Sequence, residues 1–224
     1  RQMCIRDRCL WCARLIRPDL LWCINDLARN ITRWTKACDR RLHRMMCYMN
    51  CTKEYVQYAF VGDKLEDCML ILYTDASFAD DIKQSKSTSG AIMFILGPNT
   101  YVPIDWHCKK QGAQSHSSTE SETISLHTGV RMAGIPCLIL WDKIVEIFEG
   151  PPQCKPVFDI TQSPDLRTSA DKFCDSIDYV PPIIPPHRGR GKICILEDNE
   201  AVIKIVLNQR WPNFRHVNRT HRVN

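Results

Sequence analysis

The sequence has 224 residues, which is long enough for one ordinary domain and part of another. Apolar residues make up 44% and charged residues 25%, so we expect a globular chain, and the absence of an 18-residue apolar run argues against a membrane span. The formal net charge is +5, and residues 1–50 hold 11 Lys or Arg against 4 Asp. Such a region suits a polyanion such as nucleic acid, and a solvated basic helix face is the alternative.

The N-terminus lacks both an initiator Met and the apolar core of a signal peptide. We interpret residues 1–8, RQMCIRDR, as read-through of a sequencing adapter, and the whole chain as a fragment. We therefore expect an intracellular protein, cytoplasmic or nuclear, that does not contact a membrane.

Thirteen cysteines raise the question of metal sites or disulfides. Cys9 and Cys12 form one C-x-x-C pair without a second pair at zinc-finger spacing. His43, Cys47 and Cys51 fall on one helical face and could hold a metal. Free thiols packed as small apolar groups in a reducing compartment are the alternative that we favour.

Residues 9–67 are predicted to be mainly helical. A helix begins at Pro18 and places Leu20, Ile24 and Leu27 on one face, and a second helix covers about 35–50. Residues 55–67 form a mixed segment.

From residue 68 the pattern changes to strands, CMLILYTDAS, SGAIMFILG and TYVPIDWHCKK. The short turn at Gly97-Pro98-Asn99 predicts a hairpin between the second and third strands, and Pro103 places the third near an edge. Ser118 or Thr119 caps a helical stretch that Gly134 and Pro136 split into 119–132 and 136–148. Residues 149–191 are proline-rich and are interpreted as an insertion. A short strand, ICIL, and a helix, NEAVIKIVL, follow.

Two apolar strands end on acids, since Asp75 ends the first strand and Asp198 lies just past ICIL. If these strands lie side by side and parallel, the two carboxylates share one end of the sheet, where Glu120 at the helix start could join them. Three such acids repel one another unless a divalent cation neutralises them. The pattern predicts a site for two Mg²⁺ or Mn²⁺ ions that serves phosphoryl transfer. The alternative is that Asp75 merely ends a strand and that Glu120 and Asp198 cap helices.

Five motifs occur in the order YTDASFADD, SKSTSGAIMFILG, IDWHCKKQ, SSTESETISL and EDNEAVIKI. Together they resemble the ribonuclease H domain of copia-type retrotransposon Pol polyproteins, over residues 68–148 and 192–222. SSTESE replaces the SSTEAE of the family, and WHCKKQ replaces WKSKKQ. Residues 9–67 resemble the end of the reverse transcriptase that precedes this domain.

The resemblance implies an α/β, ribonuclease H-like mixed sheet with three antiparallel strands and a parallel fourth, preceded by a helical reverse-transcriptase remnant. Residues 68–224 would form that domain, incomplete because its fifth strand is missing. The implied activity is hydrolysis of the RNA strand of an RNA/DNA hybrid with two Mg²⁺ or Mn²⁺ ions. The partners would be the hybrid and the rest of the Pol polyprotein, reverse transcriptase and integrase.

The resemblance also assigns roles to individual residues. Asp75 matches the catalytic aspartate that bridges both metals, Glu120 the metal-binding glutamate and Asp198 the second aspartate. Glu122 competes with Glu120, but it points about 200° away on the helix, so the two cannot share one role. Glu197 lies within the strand end, where solvent could reach it.

The fourth carboxylate of the family belongs to a motif beyond Asn224, so we expect residues 1–224 alone to be inactive or nearly so. Ser117, Ser118 and Asn199 lie beside the presumed acids and could bond the hybrid, and Lys109, Lys110 and Gln111 could meet phosphate. Each could equally be a polar loop residue. The alternative function is a decayed, non-catalytic nucleic-acid-binding fragment of a transposable element.

Overall fold

The computed structural model describes residues 2–81, 84–150 and 191–208, with side chains from Asp7 onward. The predictions for the insertion and for the last residues of the chain therefore fall largely outside the described part. The helices are α1 Gln2–Leu15, α2 Leu21–Arg29, α3 Lys36–Cys51, α4 Ser118–Gly129, α5 Ile135–Glu149 and α6 Glu200–Leu207. The strands are β1 Met69–Ser77, β2 Thr88–Gly97, β3 Thr100–Lys110 and β4 Ile193–Leu196.

The four described strands form one mixed sheet in the order β3-β2-β1-β4. β1 and β2 pair antiparallel, β2 and β3 form the predicted hairpin, and β4 pairs parallel to β1. The expected arrangement of three antiparallel strands and a parallel fourth is confirmed. Pro103 lies on β3, an edge of this sheet, beside an irregularity between Met93 and Phe94 of β2. An edge position suits proline because its nitrogen has no hydrogen to donate to a neighbouring strand.

One face of the sheet carries the main core. Burial alternates along β1, so that Leu70, Leu72, Thr74 and Ala76 are buried while their neighbours are partly or fully exposed. Leu70 and Leu72 pack with Met93 of β2 and with Trp141 and Val145 of α5. Burying a side chain such as Leu72 stabilises the fold by about 1.5–3 kcal/mol. This core fixes β1, and with it the position of Asp75.

The stretch after β3 is one continuous helical run of 32 residues, Ser118–Glu149, and not two separate helices as predicted. A π-helical turn at Val130–Gly134 joins α4 to α5. Pro136 follows that turn in the first turn of α5, where the absence of its N–H disrupts least. The π-helical turn therefore accommodates Gly134 and Pro136, the two residues that were expected to end the helix.

By length and composition alone this helical run could cross a membrane, although 28% of its most apolar window is buried. The expectation that no such segment exists is therefore corrected. The first half of the run packs against β1 and β2, since Ser125 and Gly129 contact their backbone or side chains. The core helix of a soluble protein satisfies the same criterion, so the run is weak evidence for a membrane span.

The N-terminal helices form a second core around Leu20, Ile24, Leu27 and Met45. The helix expected to begin at Pro18 starts as a 3-10 turn, Pro18–Leu20, and continues as α2. α1 begins within residues 1–8, the stretch interpreted as adapter read-through. The Trp106 indole N–H donates to the Ala13 carbonyl at 2.8 Å, and the Asn25 side-chain amide donates to the Cys108 carbonyl at 2.8 Å. These bonds hold the N-terminal helices against β3.

Candidate metal centre

Three carboxylates from separate parts of the sequence meet at one end of the sheet. Asp75 lies near the end of β1, Glu122 on the first half of α4, and Asp198 two residues after β4. Each contributes an oxygen, and these three oxygens lie within 4.8 Å of one another. The parallel pairing of β1 with β4 brings Asp75 and Asp198 to the same end, as the sequence pattern indicates.

Glu122 is the most buried member of this group, with 7% of its surface exposed. Its Oε2 has no hydrogen-bond partner among the described residues, so its charge is poorly compensated. Burial, together with the charges of Glu197, Asp75 and Asp198, raises the pKa of Glu122 to about 7. A cation beside these oxygens would supply the missing compensation.

Glu197 is a fourth carboxylate near this cluster. Its Oε2 accepts a hydrogen bond from the Thr74 hydroxyl at 2.8 Å, and its Oε1 accepts one from the Asn199 N–H at 3.4 Å. Burial raises the pKa of Glu197, while these two hydrogen bonds lower it. The residue is therefore partly buried and held in place.

The structure does not bring Glu120 into the cluster. Glu120 is buried with 3% exposure, and its Oε2 accepts from the His116 backbone N–H at 2.6 Å. Its own N–H donates to the Ser117 hydroxyl at 3.1 Å, so Ser117, and not Ser118 or Thr119, caps α4. Glu120 thus satisfies backbone donors at the helix start. The geometric expectation for Glu120 is corrected, because Glu122 occupies the place assigned to it.

Helix periodicity could have identified Glu122. Ser125 and Gly129 lie three and seven positions later, on the same helical face as Glu122. Both are buried small residues: the Ser125 hydroxyl donates to the Asp75 carbonyl at 2.6 Å, and a Cβ on Gly129 would lie 2.6 Å from the Thr74 methyl. Small residues let a helix approach a strand closely, so this face packs against β1 and carries Glu122 toward Asp75.

The residues predicted to bond the hybrid have structural roles as well. The Asn199 side-chain oxygen accepts from the N–H groups of Ala201 and Val202, at 3.0 and 3.3 Å, and caps α6. Ser117 caps α4, and Ser118 is exposed with its carbonyl accepting from the Ser121 hydroxyl at 2.7 Å. Of these three, Ser118 has the most accessible position.

The basic residues at the end of β3 differ in their surroundings. Lys110 forms an ion pair with Asp81 and donates to the Gln84 side chain at 3.3 Å. Burial, followed by the charge of Arg29, lowers the pKa of Lys110. Gln111 is buried and donates to Ser89 and Ser121, each at 2.9 Å. Lys109 is exposed, so it is the better placed of the predicted residues to meet a phosphate.

The cysteine and histidine residues of α3 form no comparable centre. The Cys47 sulfur and the His43 Nε2 are 3.5 Å apart, but no group of three possible ligands gathers around them within the described ranges. The ten cysteines whose side chains the structure describes are free thiols.

A cleft of about 590 Å³ leads away from the carboxylates. Pro18, Leu21 and Trp22 line it from the N-terminal helices, and the sheet contributes residues of β1, β2 and β3. Asp75, Glu197 and Asp198 line it as well. The cleft and the carboxylate cluster are therefore continuous.

Comparisons with known proteins give two informative similarities. The chain is 34% identical over 106 residues to the Retrovirus-related Pol polyprotein from transposon RE2 of Arabidopsis thaliana. That match covers 47% of this chain and 7% of the polyprotein, so the chain spans only a small part of that relative. It is also 28% identical over 118 residues to the Secreted RxLR effector protein 161 of Plasmopara viticola, covering 52% of this chain and 78% of that protein. No family model and no solved structure matches. The similarity to the polyprotein supports a retrotransposon origin for this chain.

Proposed function

We propose that this chain is the ribonuclease H part of a retrotransposon polyprotein, and that it hydrolyses the RNA strand of RNA/DNA hybrids. The observation that carries the proposal is the meeting of Asp75, Glu122 and Asp198 within 4.8 Å. The resemblance to copia-type domains and the similarity to the Pol polyprotein point in the same direction. The sheet order and the parallel β4 are compatible with the ribonuclease H-like fold that the resemblance implies.

The residues of the cluster fit hard divalent cations. Mg²⁺ and Mn²⁺ favour carboxylate oxygens, and the cluster offers three carboxylates without a basic side chain among them. The partnerless Oε2 of Glu122 is a buried acceptor that a cation would satisfy. A pair of such ions would activate a water and stabilise the leaving oxygen of a phosphodiester. Asp75, Glu122 and Asp198 are the residues that would hold them.

The surrounding residues of the chain orient these ligands. The Ser125 hydroxyl bonds the Asp75 carbonyl and the Gly90 carbonyl, at 2.6 and 3.3 Å, and so ties α4 to β1 and β2 beneath the cluster. Asn199 fixes the start of α6 one residue after Asp198. Lys109, at the same end of the sheet, would contact a phosphate of the substrate.

The test is cleavage of an end-labelled RNA/DNA hybrid in Mg²⁺ by a chain extended along its own reading frame, because the resemblance places a fourth acid there. We expect cleavage that stops in excess chelator. Asp75→Asn should abolish it, since an amide cannot supply the charge that holds two cations. Cleavage by this variant at the wild-type rate would contradict the proposal.

Direct cation binding separates the proposal from its alternative. Calorimetric titration of residues 1–224 with Mn²⁺ should show binding that Asp75→Asn weakens strongly. Asp142→Asn is the matched control, because Asp142 lies on α5 and its carboxylate accepts from the Gly191 N–H. A chain that binds hybrid but no cation would instead be the non-catalytic fragment.

A further inference from the structure

The cleft beside the carboxylates combines exposed aromatic rings with acids. Trp22 is 49% exposed and Tyr73 is 40% exposed, although both line the cleft. The Tyr73 ring meets Phe94 edge to face at 5.8 Å, which fixes its orientation. We propose that this cleft binds an unpaired nucleobase of a nucleic-acid strand whose phosphate lies at the carboxylate cluster. The inference rests on the proposed function.

The size and lining of the cleft suit a single nucleotide. Its volume of about 590 Å³ lies within the range of roughly 300–1,000 Å³ typical of small-molecule sites. Its aromatic wall offers the flat apolar surface on which any base can stack. Asp75 and Asp198 also line the cleft and would meet the phosphate through the cations that they would hold. A ligand with an apolar planar part and an anionic part would use both the aromatic rings and the carboxylates.

The cations of the proposed function favour a nucleic acid over a basic peptide in the cleft. Among the described residues, the lining of the cleft includes the acids Asp75, Glu197 and Asp198 and no Lys or Arg. Lys109, exposed at the end of β3, lies near the same end of the sheet as Asp75. A cationic segment would have to displace the cations from Asp75 and Asp198. A polyanion would instead be attracted by those cations and by Lys109.

The base must be unpaired to enter. Bases within a duplex are stacked on their neighbours, so their faces are covered and cannot meet an aromatic side chain. We therefore infer that the cleft favours hybrids with a bulged or terminal unpaired nucleotide over fully paired ones.

The test compares two hybrids that differ by one base. Both carry one extra residue in the RNA strand, which is uridine in one hybrid and an abasic residue in the other. Fluorescence anisotropy of residues 1–224 is measured in Ca²⁺, which takes the same oxygen ligands as Mg²⁺. We expect the hybrid with the base to bind about tenfold more tightly, within the range for a base stacked on an aromatic side chain.

Substitutions of aromatic residues test whether the preference for the hybrid with the base arises in the cleft. Trp22→Ala should remove the difference in affinity between the two hybrids, whereas Trp22→Phe should keep most of that difference. Trp11→Ala is the control, because Trp11 is 65% exposed on α1 and does not line the cleft. Thermal melting checks that each variant is folded.

The outcomes separate this inference from the proposed activity. A base preference that depends on Trp22 supports the cleft assignment, even if the extended chain fails to cleave a hybrid in Mg²⁺. Equal affinity for the two hybrids, or a preference that survives Trp22→Ala, overturns the assignment, even if the extended chain cleaves. Binding to neither hybrid overturns both.

Discussion

Glu122 and Asp75 come from a helix and a strand that are far apart in the sequence, yet their carboxylate oxygens lie within 4.8 Å of each other. Two residues earlier on the same helix, Glu120 instead accepts a hydrogen bond from the His116 backbone. The two glutamates of SSTESE are therefore not interchangeable. One faces the sheet and the other completes the start of the helix.

We expect Glu122→Gln to weaken Mn²⁺ binding strongly, and Glu120→Gln to leave it nearly unchanged. Glutamine at position 122 lacks the charge that attracts a cation, whereas an amide oxygen at position 120 can still accept from His116. Calorimetric titration of both variants measures the difference. Similar losses of affinity in the two variants would argue against the placement of Glu122.

Without cations, stability should fall as the pH rises from about 4.5 to about 7. The pKa of Glu122 is about 7 in the folded chain and near 4.5 when the side chain is solvated, so the folded state holds the extra proton between these values. The raised pKa of Glu197 acts in the same direction. Thermal melting in chelator should show the midpoint dropping by several degrees across this window. Glu122→Gln should flatten the dependence, and a wild-type midpoint that rises instead would contradict the assignment.

Glu197→Gln should lower the pKa of Glu122. After burial, Glu197 is the largest cause that raises this pKa, because its charge opposes ionisation of Glu122. A carbon-detected NMR titration of the Glu122 carboxyl measures the change. Glu200→Gln is the matched control, since Glu200 is exposed and forms an ion pair with Lys204. The idea fails if the two substitutions shift the titration equally.

Gly129→Ala should destabilise the fold by about 1–3 kcal/mol, the usual cost of overpacking a tight contact. A Cβ there would meet the Thr74 methyl at 2.6 Å and Ala91 Cβ at 3.3 Å, and so push α4 away from β1. Gly112→Ala is the control, because nothing lies within 4 Å of its added Cβ. Urea unfolding measures the stability of both variants. The affinity for Mn²⁺ should also fall in Gly129→Ala, because Glu122 lies on α4 and would move with it. Equal unfolding midpoints for Gly129→Ala and Gly112→Ala would contradict the prediction, because they would show that α4 and β1 adjust to the added methyl without cost.

The strands were predictable because their apolar runs are bounded by turn residues and acids. Asp75 and Asp198 followed from that pattern, since parallel strands end on the same side of a sheet. The third acid, Glu122, was not predicted. Glu120 was chosen because it lies near the start of a helix, and which helical face points toward the sheet was not considered. The rotation of α4 is set by Ser125 and Gly129 packing on β1, a tertiary contact that the motif does not display. The continuity of α4 and α5 was not predicted, because residues such as Gly134 and Pro136 usually end a helix. Here a π-helical turn accommodates them.

The pairing of β4 with β1 joins segments that are more distant in the sequence than any other pair of strands in the sheet. Contacts of this kind form late in folding, because the intervening chain must first be closed into a loop. Asp198 reaches Asp75 only through that pairing, so a partly folded chain that lacks it has no complete cluster. A cation that binds to the cluster binds only the state in which β4 is paired with β1, and it stabilises that state by mass action. Cation concentration would then control how much of the chain is folded, and the same residues proposed for chemistry would also report that β4 has paired with β1.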